Sequence, residues 1–303
     1  MPEKLRSLLI PIDLSTGSTR VIDRAALLPL AEGARLTLLH VVPRGFSREA
    51  TKRAEGDARN ALEAMAKRLS RALPASCAVK QVVKVGVPAD VIAGQARAAR
   101  AELTVMGRGG GRAFKDIFLG STAERVIRQG QFPVLVVRLP PHAPYRKPAV
   151  AMALDQAAHD VLASLLRVIP PPLPRVAIIH AYDAPLHGYL YPSFPTDEAR
   201  DHQAHYERKA LRGLSRLLAA SLTRAGVPPG DAPAWKLYVR NGSPRSLIAQ
   251  TVKKLSTDLL VLGTHGYSGL AHAFLGTVAG DVLREVPCDV LVVPPRPEGS
   301  KET

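Results

Sequence analysis

Gly107-Arg108-Gly109-Gly110 is followed, after nine residues, by Gly120-Ser121, and this pattern occurs a second time further along the chain. The second copy is Gly263-Thr264-His265-Gly266, followed after the same nine residues by Gly276-Thr277. The two copies are 156 residues apart at both ends of the pattern. Identical spacing twice in one chain is the signature of an internal repeat, so the sequence predicts two copies of one domain.

The separation between the copies is smaller near their starts, where His40 and His180 are 140 residues apart. We pair Asp13 with Asp155, a separation of 142 residues. The second copy therefore has about sixteen extra residues, which we expect in a proline-rich and glycine-rich loop over residues 185–195. Residues 138–148 contain four prolines and are typical of a linker. We predict domains over 1–139 and 149–303, joined by a linker over 140–148.

Short apolar runs alternate with helical patterns in each copy. In the first copy, Ala58, Leu62, Met65, Leu69 and Leu73 recur at helical spacing. The predicted strands there cover residues 8–13, 35–42, 79–85, 103–106 and 134–137. This alternation predicts an α/β fold of two doubly wound domains in tandem, each with a five-stranded parallel sheet. We expect the strand order 3-2-1-4-5.

Composition favours a cytoplasmic protein without a disulfide framework, because the chain has only two cysteines, Cys77 and Cys288. The uncharged run over 259–280 is long enough for a membrane span, but five glycines and two histidines interrupt it, so we expect no membrane segment. The net charge of +15 would suit an anionic partner. The arginines are scattered and aromatic residues make up 5% of the chain, which favours solvated helix faces over nucleic-acid binding.

The glycine pattern indicates a site for phosphate. Ligands of open parallel sheets lie beyond the carboxyl ends of the strands where the strand order reverses, which places Asp13 and Gly107 beside one crevice. Glycines bring backbone N–H groups close to a ligand, and a helix starting at Gly120-Ser121-Thr122 adds free N–H groups and hydroxyls. The alternative is a glycine turn before an ordinary helix cap. Repetition at unchanged spacing favours phosphate.

Two common nucleotide motifs are excluded. The chain contains no Gly-Lys dipeptide, so it has no P-loop. The dinucleotide fingerprint fails because Arg112 stands where its last glycine is needed, and because the motif follows the fourth strand instead of the first. Arg112 and Lys115 either reach a phosphate or face water.

The glycine spacing after an apolar strand, together with an early strand that ends in Asp13, resembles the ATP-binding class of universal stress proteins in its tandem form. The resemblance covers nearly the whole chain and implies an adenine nucleotide α-hydrolase-like fold. It implies ATP as the ligand, with AMP or ADP as alternatives and Mg²⁺ accompanying ATP. Asp13 would lie near adenine and ribose, and the backbone at His40 and Val41 near the adenine edge.

By this resemblance, the nucleotide site is formed by equivalent residues of both copies. In the first copy they are Pro11, Ile12, Asp13, His40, Val41, Met106, Gly107, Arg108, Gly110, Gly120, Ser121 and Thr122. In the second copy they are Asp155, Leu262, Gly263, Gly266, Gly276, Thr277 and Val278. The second copy lacks the proline and serine that stand at Pro11 and Ser15, and Asp155 has the alternative of capping a helix.

The resemblance implies a regulatory or stress-resistance role with little or no turnover. It also implies that the last strands of the two domains, Val134–Val137 and Val290–Val293, pair with each other, and it allows a homodimer. Protein partners stay unassigned. The alternative function is a slow ATP hydrolase or an adenylate-handling enzyme, although no base and nucleophile converge in the sequence. His202 and His205 alone are too few ligands for a metal site.

Overall fold

A computed structural model describes residues 3–109, 120–184, 196–264 and 275–295. Its strands are β1 (Leu5–Pro11), β2 (Leu30–Pro43), β3 (Ala78–Gly86), β4 (Leu103–Gly107), β5 (Val134–Val137), β6 (Pro148–Ala151), β7 (Val176–Tyr182), β8 (Trp235–Asn241), β9 (Leu259–Gly263) and β10 (Asp289–Val293). Its helices are α1 (Ser18–Ala26), α2 (Arg48–Ala72), α3 (Pro88–Ala98), α4 (Ser121–Gln129), α5 (Ala157–Val168), α6 (Thr196–Arg224), α7 (Pro244–Leu255) and α8 (Thr277–Glu285), with a short 3₁₀ turn at Pro229–Asp231. The alternation of strands and helices confirms the predicted α/β fold.

The ten strands form one continuous sheet in the order β3-β2-β1-β4-β5-β10-β9-β6-β7-β8. Each half therefore has the predicted order 3-2-1-4-5, and within each half neighbouring strands are parallel. The two halves meet where β5 and β10 pair antiparallel, with Leu135 directly opposite Leu291. These two leucines are repeat equivalents, so an internal pseudo-two-fold axis passes between them.

Helices cover both faces of the sheet. Leu135 and Val137 pack into the core beneath α1, α2, α5 and α6, whereas Val134 and Val136 pack beneath α3, α4, α7 and α8. This alternation follows from the two-residue period of a strand, and it explains why the central strands are apolar throughout. Both cores run through the two halves without interruption. Among the described residues, no helix combines the length and apolar character that a membrane crossing requires.

The strand register corrects the alignment of the two first strands. Leu8 pairs with Leu103 and Pro148 pairs with Leu259, so β1 and β6 are related by a shift of 140 residues. The position of Asp13 is therefore occupied by Ala153, and our pairing of Asp13 with Asp155 is wrong by two residues. The shared aspartate letter suggested the wrong register, while the shift of 140 between His40 and His180 gives the right one.

The segment between β5 and β6 is held against the second half. The backbone N–H groups of Arg138 and Leu139 donate to Asp289 Oδ1 at 2.7 and 2.8 Å. Further along, the N–H groups of Arg146 and Lys147 donate to the carboxylate of Asp258. The extra segment that we predicted as a loop, residues 185–195, lies outside the described residues.

Candidate functional site

The candidate crevice lies at the carboxyl edge of the first half, between β1 and β4. These adjacent strands end at Pro11 and Gly107. The helix that follows β1 packs on one face of the sheet, and the helix that follows the glycine pattern packs on the other. Because the two connections leave in opposite directions, they open a crevice above the strand ends. Ile12 and Met106 are buried beneath its floor.

Asp13 stands in the turn between β1 and α1, where its carboxylate is fixed by its neighbours. Its Oδ1 accepts hydrogen bonds from the Ser15 N–H and from the Ser18 hydroxyl, both at 3.0 Å. The turn places Leu14 at a φ of 59°, in the left-handed region. Partial burial acts to raise the pKa of Asp13, but the bonds from Ser15 and Ser18 outweigh it and the pKa is lowered. Asp13 is therefore an ionised acceptor at neutral pH.

A histidine holds the floor of each crevice in the same way. His40 Nδ1 lies 2.9 Å from the Ile12 carbonyl oxygen, and His180 Nδ1 lies 2.9 Å from the Met152 carbonyl oxygen. A carbonyl only accepts, so Nδ1 carries the hydrogen in both rings. Burial lowers the pKa of His180, and the bond to Met152 offsets this only in part. These bonds fix the backbone at residues 40–41 against the turn that follows β1.

The end of β4 contacts the start of α4 through Gly120, whose N–H donates to the Arg108 carbonyl at 2.7 Å. A Cβ at Gly120 would lie 2.7 Å from that oxygen and 3.0 Å from the Gly109 carbonyl carbon, so only glycine fits. Gly109 has a φ of 70°. In the second half, the Gly276 N–H donates to the Thr264 carbonyl at 2.8 Å. The same closed turn is thus built twice.

Helix α4 presents unused backbone donors at this turn. Gly120 is its N-cap residue and supplies no side-chain cap, and the first helical bond runs from Glu124 N–H to the Gly120 carbonyl. The N–H groups of Ser121, Thr122 and Ala123 precede that bond and have no acceptor within the helix. Ser121 is exposed, and its hydroxyl adjoins the positive end of the helix dipole. This arrangement is suited to an anion.

The predicted site residues divide into three groups. The structure brings Asp13, His40, Gly107, Gly120 and Ser121 to one edge of the first half, with Pro11, Ile12, Val41 and Met106 buried below them. Leu262, Gly263, Gly276, Thr277 and Val278 occupy equivalent positions in the second half. Gly110, Gly266, Arg112 and Lys115 lie outside the described residues.

Asp155 does not take the position that we predicted for it. Its Oδ1 accepts a hydrogen bond from the Ala158 N–H at 3.1 Å, so it caps the first turn of α5. The alternative interpretation from the sequence is the one the contacts support. Sequence reasoning also missed Ser18, whose hydroxyl holds Asp13. An aspartate followed at short distance by two serines is a recognisable signal for such a turn.

Other candidate features carry less chemistry. Within the described ranges, no group of three or more metal-binding side chains comes together, and His202 and His205 instead contact the ring of Tyr206. A groove of about 600 Å³ between α1 and α2 is bordered by Asp23 and Arg68. Those two side chains form a two-bond ion pair at 2.8 Å, which satisfies the charges at its rim.

Comparisons with known proteins agree on one family. The sequence model of the universal stress protein family matches residues 4–138 and 142–294. A universal stress protein of Mycolicibacterium smegmatis is 27% identical over 316 aligned positions, covering 95% of this chain and 97% of that protein. One from Thermus aquaticus is 31% identical over 119 residues, covering 39% of this chain and 77% of that protein. The crystal structure of a universal stress protein from Archaeoglobus fulgidus has the same fold, with a TM-score of 0.68, 18% identity and coverage of 96% and 97%.

Proposed function

This chain belongs to the universal stress protein family, and from that premise we propose that it binds an adenine nucleotide, ATP foremost, at the carboxyl edge of its first half. The role that we propose is regulatory or protective under stress, in the cytoplasm, with little or no turnover. Nucleotide binding would change the loops at this edge and so the choice of protein partner. Two unpaired cysteines are in keeping with a reducing compartment.

The observation that carries the proposal is the contact between Gly120 and Arg108. It closes a turn into which no Cβ fits, and it leaves the first N–H groups of α4 facing outward from that turn. Donors of this kind, at a helix start and without a side-chain cap, match the oxygens of a polyphosphate. The residues present therefore fit the phosphate groups of ATP. Magnesium would come with the triphosphate and be held through its oxygens.

Asp13 and His40 supply the complementary half of the site. An ionised carboxylate that already accepts two bonds on Oδ1 is a fixed acceptor for ribose hydroxyls. The backbone at His40 and Val41 is held in place by the bond between His40 and Ile12, so its polar groups are positioned for the edge of adenine. AMP and ADP would share these contacts and lack only the outer phosphates.

The chemistry of Asp13 favours binding over catalysis. A carboxylate whose pKa is lowered is a weak base, because it holds a proton less readily than an ordinary aspartate. The alternative function, slow ATP hydrolysis or adenylate handling, would need another group to activate water. Sustained phosphate release on the order of 0.1 s⁻¹ or faster would favour that alternative.

Calorimetric titration of the full chain with ATP and Mg²⁺ tests the proposal. Gly120→Glu places a bulky anion in the turn and should abolish the binding heat. Gly56→Glu is the matched control, since it makes the same change on α2 where a Cβ meets nothing within 4 Å. Equal heats for the native chain and the Gly120→Glu variant would contradict a phosphate site at this turn.

A further inference from the structure

We propose that the two crevices are not equivalent, and that the chain holds one adenine nucleotide, in its first half. This inference rests on the proposed function and goes further, because it assigns the ligand to one of two repeated sites. The reason is a set of side-chain differences on two backbones that match closely.

The backbones of the two crevices superpose bond for bond. The histidine bonds to the Ile12 and Met152 carbonyls are both 2.9 Å long. The glycine bonds to the Arg108 and Thr264 carbonyls are 2.7 and 2.8 Å long. Residues near the first strand of each half are therefore equivalent at a shift of 140, and those near the glycine turn at a shift of 156. Differences between the sites then lie in their side chains.

The polar groups of the first crevice are absent from the described part of the second. Ala153 takes the position of Asp13, and Ala158 takes that of Ser18, so the carboxylate and the hydroxyl that orients it are both lost. At the glycine turn, Thr264 takes the position of Arg108 and Val278 that of Thr122. The second crevice has thus lost an anionic acceptor, a cation and two hydroxyls.

The nearest carboxylate cannot replace Asp13. Asp155 lies two residues beyond Ala153, and its Oδ1 is engaged by the N–H of Ala158 at the start of α5. Moving it into the crevice would uncap that helix. A ribose in the second crevice would therefore exchange its hydrogen bonds to water for contacts with an alanine methyl group.

Apolar side chains border the second crevice instead. Leu154 and Val278 are each 37% exposed, which is unusual for large apolar residues in this chain. Leu154 packs against α6 at Gly213, where a Cβ would lie 2.8 Å from its Cδ1. The turn after β6 is therefore seated on α6 by an apolar contact. Such walls disfavour the hydrated sugar and phosphates of a nucleotide.

The loss of one hydrogen bond to a charged group corresponds to about 10- to 100-fold in affinity. Titration of the native chain with ATP should therefore give a stoichiometry near one. Asp13→Asn should weaken that single event by at least about ten-fold. The double variant Ala153→Asp, Ala158→Ser rebuilds the first-half pair in the second half and should bring the stoichiometry near two. Ala153→Asn, Ala158→Ser is its size-matched control without the charge and should stay near one.

Photolabelling with 8-azido-ATP, followed by peptide mapping, tests the same point on the native chain without any variant. Label confined to residues 1–139 is the expected result. Two equal binding events, or label in both halves, would overturn this inference and leave nucleotide binding standing. Label only in the second half would overturn it as well. Absence of both heat and label would overturn the proposed function together with this inference.

Discussion

Arg24 of α1 and Asp289 of β10 form a buried ion pair between the two halves of the chain, with Nε 3.1 Å from Oδ2 and side chains 4% and 0% exposed. The Tyr145 hydroxyl donates to the same oxygen at 2.7 Å, and the Arg24 guanidinium lies 4.1 Å from the centre of the Tyr145 ring. The repeat has no second copy of this cluster, because Pro133 and Ser164 take the equivalent positions of Asp289 and Arg24. The halves are thus joined by an asymmetric polar contact as well as by the symmetric strand pair.

Asp289→Ala should destabilise the whole chain. The substitution leaves Arg24 buried without its carboxylate and removes the acceptor of the Arg138 and Leu139 N–H groups. Loss of one partner of a buried pair costs about 3–5 kcal/mol, measured as the free energy of unfolding in urea. Glu285→Ala, which removes an exposed partner of Arg245, is the control and should change stability far less. Equal effects of the two variants would show that the buried pair contributes nothing special.

Tyr145→Phe should reduce stability in a pH-dependent way. Burial, reinforced by the charge of Asp289, raises the pKa of Tyr145 well above 10.0 in the folded chain. The folded state therefore holds this proton more tightly than the unfolded state, so its contribution to stability is complete below about pH 10 and is lost above it. Urea unfolding at pH 8 and pH 10.5 should show a smaller alkaline loss for Tyr145→Phe than for the native chain. An identical loss in both proteins would contradict this placement of the proton.

Ser18→Ala should raise the pKa of Asp13 toward its ordinary value. The Ser18 hydroxyl bonds to the ionised form of Asp13 and so favours loss of the proton. Carboxyl ¹³C NMR titration of Asp13 measures the change directly. Ser47→Ala is the control, because Ser47 caps α2 through Ala50 and has no bond to Asp13. If Asp13 titrates alike in the native chain and the Ser18→Ala variant, the bond does not set its charge.

Gly120→Ala should be more disruptive than Gly276→Ala. A new Cβ would lie 2.7 Å from the Arg108 carbonyl oxygen in the first half, but 3.1 Å from the Thr264 carbonyl oxygen in the second. Overpacking of this kind costs about 1–3 kcal/mol, and the wider turn needs a smaller adjustment. Thermal unfolding of the two variants gives the comparison. A larger loss at Gly276 would mean that the two turns differ in flexibility more than in spacing.

Periodicity and repetition were enough to predict the α/β class, the strand order and the pairing of β5 with β10. These features depend on local patterns, and each pattern is written twice in the chain. The contact of Arg24 with Asp289 could not be predicted in this way, because its partners are 265 residues apart and neither repeats. A departure from the repeat, such as aspartate against Pro133, is the only signal that the sequence offers for it.

The candidate site was predicted unevenly for a related reason. The glycine turns follow strands of equal length in both halves, so their alignment needs no gap and is correct. Asp13 precedes a helix of different start and length from its counterpart, and there a single matching letter outweighed the register. Strand hydrogen bonds, which a sequence does not display, decide such a case.

The antiparallel contact of Leu135 with Leu291 also governs how the protein behaves on dilution. Two separate domains joined by the same short strands would come apart as their concentration fell. Here a peptide tether keeps both strands at high local concentration, so the association is independent of how many copies a cell contains.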